Sequence, residues 1–231
     1  MQVWWFEGAL MRVRASLLAA LLLCGAMLGG LAHADSISVT NGTFEQTSGT
    51  FILCGTGCEF TGGAIPGWTV TGYTGSFEPG GYLNSPLPSG SFVGYTNGGT
   101  LTQNLGVGLT PDTSYTLSVY VGNRLDGTSG AYTIELLDGS TVLCSFSGNS
   151  STITPGGFAD ETCGFQTGAS VPAGNISVFL TGGGGGTQFD FDNVTVSTPE
   201  PGSVALLATG LFFLAFVGWL YSRKQGFRAA V

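Results

Sequence analysis

Short runs of alternating apolar and polar residues fill the middle of the chain, separated by Gly, Pro, Asn and Asp. In Ser114–Gly122, Tyr115 and Leu117 share one face of an extended strand, because side chains alternate between the two faces of a sheet. Thr116 and Ser118 share the other face. This alternation, without a helical repeat, predicts an all-β fold. The predicted strands are Ser36–Thr40, Gly67–Tyr73, Ser91–Thr96, Thr100–Leu105, Ser114–Gly122, Ala131–Leu137, Thr141–Phe146, Asn175–Thr181 and Gln188–Ser197.

These strands lie within residues 35–198, a segment long enough to bury a core of its own. Asp138-Gly139, between two alternating runs, is a hairpin signal. Many short strands in one segment of this length favour a jelly-roll β-sandwich. The sequence therefore predicts one β-sandwich domain, flanked by two terminal segments of different character.

The N-terminal segment has the pattern of a secretory signal peptide. Two arginines precede an apolar run over residues 17–31, and small residues end the run at Ala34. The pattern predicts a signal peptide over residues 1–34, cut between Ala34 and Asp35, with Met11 as an alternative start. An uncleaved N-terminal membrane anchor is the other interpretation of the same run.

The C-terminal segment, residues 199–231, contains a second apolar run. Val204–Tyr221 carries no charge and is just long enough to cross a bilayer as a helix. The basic residues Arg223, Lys224 and Arg228 follow it. Since basic flanks stay on the cytoplasmic side, the pattern predicts a C-terminal transmembrane helix with the β domain outside.

The tripeptide Pro199-Glu200-Pro201 stands directly before this apolar run. Pro-Glu-Pro, a short apolar helix and a basic tail, in this order, resemble the PEP-CTERM sorting signal of Gram-negative bacteria. The resemblance implies export through the inner membrane and a partner, a membrane protease of the exosortase type. That protease would cut at Pro199, Glu200 and Pro201 and leave the protein at the cell surface or outside the cell. A plain tail anchor is the alternative.

The middle segment resembles the galactose-binding-like jelly roll of carbohydrate-binding modules. The resemblance rests on Asn41-Gly42-Thr43-Phe44-Glu45 near its start and Phe191–Val196 at its end. In that family a structural calcium ion joins the first and last strands. The resemblance implies Glu45 and Asp192 as its ligands here, since calcium prefers carboxylate and carbonyl oxygens. Two acidic side chains at sheet ends, without a metal, are the alternative.

Charge and composition narrow the function. The segment from Asp35 to Ser197 holds twelve acidic residues and a single base, Arg124. Nucleic-acid binding needs clustered Lys and Arg, so that class of partner is excluded. The single histidine, His33, lies in the predicted signal peptide. Catalytic triads, Cys–His pairs and imidazole metal sites are therefore excluded from the domain.

The domain keeps four cysteines: Cys54, Cys58, Cys144 and Cys163. An even number in an exported chain predicts disulfides. Three pairings are open, of which Cys54–Cys58 with Cys144–Cys163 is the simplest. A four-thiolate zinc site is an alternative that the spacing of the cysteines disfavours.

Sugar binding needs aromatic rings on an exposed platform with polar groups beside them. Tyr73, Phe77 and Tyr82 lie in the Gly- and Pro-rich stretch 72–88, which we expect to be a loop. Together with Asn123 and Arg124 they form a candidate sugar site. The alternative is that these rings cap the core.

The expected function follows from the sorting-signal resemblance. It is a non-catalytic surface or extracellular-matrix protein, sorted by an exosortase-type system and associated with exopolysaccharide. The first alternative is a structural or adhesive surface protein that binds no sugar, and the second is a weak glycan-acting enzyme. Paired carboxylates are the one catalytic option left, and Asp190 and Asp192 are an example.

Overall fold

The computed structural model describes residues 35–55, 57–84 and 86–198, together with residues 210, 211, 214, 215, 217 and 218. In these parts of the chain the alternating runs form strands, with two single turns of 3-10 helix at Gly80–Tyr82 and Ser150–Thr152. The strands are β1 (Asp35–Ile37), β2 (Ile52–Leu53), β3 (Glu59–Phe60), β4 (Thr69–Thr71), β5 (Thr74–Glu78), β6 (Val93–Thr96), β7 (Gly99–Gly108), β8 (Ser114–Gly122), β9 (Ala131–Asp138), β10 (Thr141–Asn149), β11 (Phe158–Gln166), β12 (Asn175–Gly182) and β13 (Phe189–Thr198).

The strands form two sheets, so the prediction of an all-β, sandwich-like fold is confirmed. The larger sheet has eight strands in the order β11-β8-β13-β6-β5-β3-β2, with β1 paired to β13. The smaller sheet has five strands in the order β10-β9-β12-β7-β4. Every strand pair is antiparallel.

The main core lies between the two sheets. Each sheet contributes the apolar half of its alternating strands, such as Leu117 and Phe191 from the larger sheet and Ile134 and Leu180 from the smaller one. All four side chains are fully buried. Trp68 packs on Phe44 in the same core, with ring centroids 5.2 Å apart. The other halves of the strands therefore point to the outer faces of the sheets.

Four strands were not predicted from the sequence: the short pair β2 and β3, together with β5 and β11. Thr74–Glu78 is a strand of the larger sheet, so placing all of residues 72–88 in a loop was wrong. Its run Thr-Gly-Ser-Phe-Glu shows no alternation, because four of its five residues are buried on both faces. Phe158–Gln166 was missed because acidic residues and a glycine interrupt its apolar positions.

Both disulfides of the simplest pairing are present. Cys54–Cys58 closes the turn between β2 and β3. Cys144–Cys163 joins β10 of the smaller sheet to β11 of the larger one. This second bridge therefore links the two sheets covalently.

The predictions for the chain ends fall mostly outside the described residues. These are the signal peptide over 1–34 and its cleavage site, the motif at Pro199–Pro201, and most of the span over 204–221. Within the parts of the chain that the structure describes, no helix is both long and apolar enough to span a bilayer.

Candidate active site

Two acidic residues of the last strand are buried on the outer face of the larger sheet. Phe189 and Phe191 point into the core between the sheets, so Asp190 and Asp192 point to the opposite face. Both aspartates are nevertheless 0% exposed. Carboxylates are almost never fully buried unless they are paired. Something on this outer face must therefore cover each of them.

Asp190 lies beside a second apolar cluster, which is separate from the main core. Its rings belong to Phe60, Phe77, Tyr82, Tyr95 and Phe158, and we call these five residues the aromatic cluster. The register places Tyr95 directly opposite Asp190, and Phe158 one strand beyond it, opposite Gly122. The buried carboxyl thus lies in a largely aromatic environment rather than in a polar one.

The Asp190 carboxyl is only half satisfied by hydrogen bonds. Gln188 Nε2 donates to its Oδ1 at 2.9 Å. No donor in the described part of the chain reaches Oδ2. Burial raises the pKa of Asp190 to about 6, although the Arg124 charge and the Gln188 hydrogen bond act to lower it. A buried acid with one unpaired oxygen and a raised pKa is a candidate proton donor.

Tyr95 holds the neighbouring position as a neutral phenol. Its hydroxyl donates to the carbonyl oxygen of Thr61 at 3.1 Å. Burial raises the pKa of Tyr95, and the nearby Asp190 carboxylate adds to the rise. The ring therefore stays uncharged beside the acid and contributes an apolar face.

The guanidinium group of Arg124 stacks on two rings of the aromatic cluster. Its guanidinium carbon lies 4.3 Å from the ring centre of Tyr82 and 5.0 Å from that of Phe77. Its Nη2 lies 2.9 Å from Asp126 Oδ2, and the arginine side chain is only 10% exposed. The base predicted from sequence as a sugar contact is thus a stacked and largely desolvated cation.

The segment that carries Arg124 is fixed at both sides by hydrogen bonds. Asn123 Nδ2 donates to the carbonyl of Ile153 at 2.7 Å, and the Asn123 amide donates to Gly157. The Leu125 amide donates to the carbonyl of Tyr82 at 2.9 Å. Arg124 and Tyr82 are therefore held in register by the backbone, so that the guanidinium stacks on the ring.

The predicted platform residues are thus brought together in part. Phe77, Tyr82 and Arg124 meet, but they do not form an exposed platform, because Phe77 is only 3% exposed and lies beneath the guanidinium. Asn123 is next to Arg124 in the chain, but its side chain donates to the carbonyl of Ile153 instead. Tyr73 is 77% exposed and is not part of the cluster. The rings do cap an apolar cluster, as the alternative interpretation expected, but that cluster is distinct from the main core.

Glu45 and Asp192, the predicted calcium ligands, lie on either side of the segment 89–92. Glu45 Oε1 accepts from the amides of Ser91 and Phe92, both at 2.9 Å. Asp192 Oδ2 accepts from the amide of Ser89 at 2.8 Å. Burial raises the pKa of Asp192 to about 7, and the nearby charge of Glu45 adds to that rise. Among the described residues, the pair therefore lacks a positive partner, since the one base there, Arg124, is paired with Asp126.

The raised pKa values have a defined effect on stability. A carboxyl whose folded pKa is above its unfolded value near 3.8 stabilises the fold fully below that value. This stability is lost as pH rises through about 6 for Asp190 and about 7 for Asp192. Each residue thus costs the fold stability at neutral pH, which indicates that it serves another purpose.

Asp190 is the central residue that sequence reasoning did not place in a binding site. The signal was present, because an acid follows each phenylalanine of the run Phe189–Asp192 in an otherwise apolar strand. Alternation shows that Asp190 and Asp192 share a face. It does not show that aromatic residues from distant strands cover that face.

Comparison with known families identifies the protein class. The site is a buried acid in an aromatic cluster on one face of a β-sandwich, and the family model described as HpiC1-like, HpiC1 cyclase, matches residues 35–197. The chain belongs to this family. A search of curated proteins found no significant match.

Solved structures agree with this assignment. The chain is similar to the Stig cyclase Fisc from Fischerella sp. TAU in complex with (3Z)-3-(1-methyl-2-pyrrolidinylidene)-3H-indole. The two are 28% identical, with a TM-score of 0.61, covering 72% of this chain and 98% of that one. A cyclase from the same organism in complex with 4-(1H-indol-3-yl)butan-2-one is 27% identical, with a TM-score of 0.60, covering 71% and 98%.

Carbohydrate-binding modules are also among the similar folds. The xylan-binding CBM22-1 domain from Paenibacillus barcinonensis is 12% identical, with a TM-score of 0.45, and covers 74% of this chain and 98% of that one. The expectation of a non-catalytic surface protein was wrong, because the family and the cyclase structures indicate an enzyme. A single buried acid is not recognisable in the sequence, because it resembles neither a histidine-based catalytic site nor a pair of catalytic carboxylates.

Proposed function

We propose that this protein is a cyclase that uses Asp190 as a general acid and base on an apolar, planar aromatic nitrogen compound of the indole type. The observation that carries the proposal is the fully buried Asp190 carboxyl, which lies beside Tyr95 and Phe158 of the aromatic cluster and whose Oδ2 has no donor among the described residues. Two indole ligands in related cyclases support the substrate class.

The chemistry needs two proton transfers through Asp190, one to the substrate and one from the ring-closed cation. The Asp190 O–H bond breaks as the proton passes to an electron-rich carbon or imine nitrogen of the substrate. The resulting cation is attacked by a π bond of the same molecule, which closes the ring. The Asp190 carboxylate then removes a proton and is restored. The product is an isomer of the substrate, so the step consumes no oxidant or reductant.

The aromatic cluster supports this sequence in two ways. The faces of Phe77, Tyr82 and Tyr95 stabilise a cation by their quadrupoles. They also keep water away from it, since hydration would divert the reaction before the ring closes. Apolar surroundings keep Asp190 protonated closer to neutral pH, which places its pKa in a useful range for acid catalysis.

A steric block beside Asp190 tests the location of the site. A Cβ at Gly122 would lie 3.3 Å from Asp190 Cβ and 3.0 Å from the Phe158 ring. We therefore expect Gly122→Val to weaken binding of 4-(1H-indol-3-yl)butan-2-one at least about tenfold in calorimetric titration, or about 1.4 kcal/mol.

Gly164→Val is the matched control. Gly164 lies on the same face of the same sheet, and a Cβ there would meet only the Tyr115 carbonyl, at 3.6 Å. This variant should bind the indole ketone as the wild type does. Equal affinity in the wild type and Gly122→Val would place the site elsewhere.

We also propose that Glu45 and Asp192 hold a structural calcium ion. The two carboxylates are near enough for Glu45 to raise the pKa of Asp192, and the sole base of the domain is engaged with Asp126. Among the described residues no cluster of three or more His, Cys, Asp or Glu side chains could bind a metal. Backbone carbonyls and water would therefore complete the six to eight oxygens that calcium requires.

Chelation tests the calcium proposal. We expect EDTA to lower the melting temperature of the wild type at pH 8 by about 5 °C, since an ion at one hundred times its Kd adds about 2.7 kcal/mol. Asp192→Asn should abolish this shift. Asp112→Asn, an exposed turn residue with φ of 52°, should retain it. A wild-type melting temperature that chelator leaves unchanged would contradict the proposal.

For location, we propose that the chain is exported and processed at both ends. The support is sequence alone: the pattern over residues 1–34 and the motif, apolar run and basic tail over 199–231. An exosortase-type protease would be the processing partner. Intact-mass spectrometry of the protein from its host should show a chain that begins at Asp35 and ends near Pro201. Retention of residues 204–231 would instead indicate an ordinary anchor.

A further inference from the structure

The acid of the proposed site is inaccessible in the structure as it stands. Asp190 is 0% exposed, yet a general acid must contact its substrate. One of the groups that cover it must therefore move. The aromatic rings come from strands or are packed in the cluster, whereas Arg124 lies in the connection between β8 and β9.

The groups around the Arg124 guanidinium determine which kind of ligand could bind in its position. Two aromatic rings, those of Tyr82 and Phe77, lie within 5.0 Å of its carbon atom. The Asp190 carboxyl, whose Oδ2 has no donor among the described residues, lies beside the same cluster and becomes negative once it has given up its proton. Aromatic faces beside a carboxylate form a receptor for a planar, delocalised nitrogen cation.

We propose that Arg124 occupies, within its own chain, the seat of such a cation, and that it leaves this seat when substrate binds. We define the seat as the space bounded by Phe77, Tyr82 and Asp190. The ligand class is the amidinium and iminium type, that is, a flat group whose positive charge is spread over nitrogen and carbon. This inference rests on the proposed function and deepens it, because it names the charge and shape of the species that the site stabilises.

The ion pair with Asp126 offers the Arg124 side chain a second, more exposed position. Asp126 Oδ2 accepts from Arg124 Nε at 3.1 Å and lies 2.9 Å from Nη2. Asp126 is the more exposed partner of this pair. The guanidinium can therefore leave the two rings and keep its carboxylate partner at the surface, which limits the cost of vacating the seat.

Removal of the arginine side chain should leave a vacancy that a small cation fills. We expect Arg124→Ala to bind benzamidinium at least about tenfold more tightly than the wild type, as expected for a desolvated cation–aromatic contact. The measurement is calorimetric titration of the full domain, with the rise in melting temperature as a second readout. Neutral benzamide, of the same shape, should bind both proteins weakly and alike.

Two further variants distinguish binding in the seat from a general effect of mutating this segment or of losing side-chain volume. Leu125→Ala removes an exposed neighbour on the same segment and should bind benzamidinium as the wild type does. Arg124→Gln removes the charge with a smaller loss of volume and should show the same direction of change as Arg124→Ala. It decides the question if Arg124→Ala does not fold. Equal benzamidinium affinity in the wild type and the folded Arg124 variant would overturn the proposal.

The indole ketone distinguishes this inference from the proposed function. In one outcome, 4-(1H-indol-3-yl)butan-2-one binds the wild type but not Gly122→Val, and the Arg124 variants gain no affinity for benzamidinium. This outcome would support the proposed active site and refute the proposed cation seat. If benzamidinium fills the vacancy but the indole ketone binds nowhere, the seat stands as a cation site and the indole-type substrate is refuted.

Discussion

Asp190→Asn should lower the rate of proton transfer to a bound indole by about 100-fold or more, the usual contribution of a positioned general acid. An amide has nearly the same shape as the carboxyl but cannot donate an acidic proton. The rate is measured as deuterium incorporation from D₂O into 4-(1H-indol-3-yl)butan-2-one, read by mass spectrometry. Binding of the same compound should change little, because Asn keeps the volume of the site.

The pH dependence of this rate should identify the proton donor. The protonated form of Asp190 is the active one, and its pKa is about 6. The wild-type rate should therefore be constant well below pH 6 and fall about tenfold for each unit well above it. The charges that face this carboxyl are Arg124, which lowers its pKa, and Asp126, which raises it. The residual rate of Asp190→Asn should lack this alkaline limb.

Asp112→Asn is the matched control for the chemistry, because it makes the same change at an exposed turn with φ of 52°. It should leave both the rate and its pH profile unchanged. A wild-type protein that exchanges no deuterium, or an Asp190→Asn variant that exchanges at the wild-type rate, would contradict the role of Asp190.

Asp190→Asn should also make the protein more stable, so that a lower rate of proton transfer cannot be explained by unfolding. The Asp190 carboxylate is buried at a cost of about 3 kcal/mol, given a rise of about two pKa units. Asn carries no charge, so its variant avoids this cost at pH 8. A higher melting temperature together with a lower rate is the pattern expected of an active-site residue.

The sequence was sufficient for the fold because alternation alone determines which face of a strand is buried. Ser114–Gly122 and Ala131–Leu137 illustrate this, since their buried residues are those that the pattern predicts. Thr74–Glu78 could not be predicted in the same way. It lies between two paired strands, and only tertiary contacts bury both of its faces, including the polar side chains of Thr74 and Ser76.

The site was less accessible to sequence reasoning because its parts come from distant positions. The rings of Tyr95 and Phe158 come next to Asp190 through the strand order, which is not visible in local patterns. Arg124 was correctly singled out as the sole base of the domain, but not as a stacked cation. The sequence therefore indicates single residues of interest, whereas the sheet topology determines which of them lie together in the site.

Gly75 shows how backbone packing positions a residue of the candidate site. It lies in the middle of β5, opposite Tyr95 on the neighbouring strand. A Cβ there would come within 1.8 Å of the Thr61 carbonyl oxygen and 2.8 Å of the Tyr95 ring. That same carbonyl accepts the hydrogen bond from the Tyr95 hydroxyl. Gly75 thus lets the segment after β3 lie flat on the sheet and hold the tyrosine beside Asp190.

Gly75→Ala should therefore destabilise the fold by about 3 kcal/mol, the upper end of the range for overpacking, because the obstacle is backbone and cannot rotate away. Chemical denaturation measures this loss. Gly164→Ala makes the same change in β11 of the same sheet, where a Cβ would meet its nearest atom at 3.6 Å. It should be neutral or slightly stabilising, because alanine restricts the unfolded chain. Equal stability of the two variants would show that the Thr61 segment yields easily, and that Tyr95 is positioned by something other than this close approach.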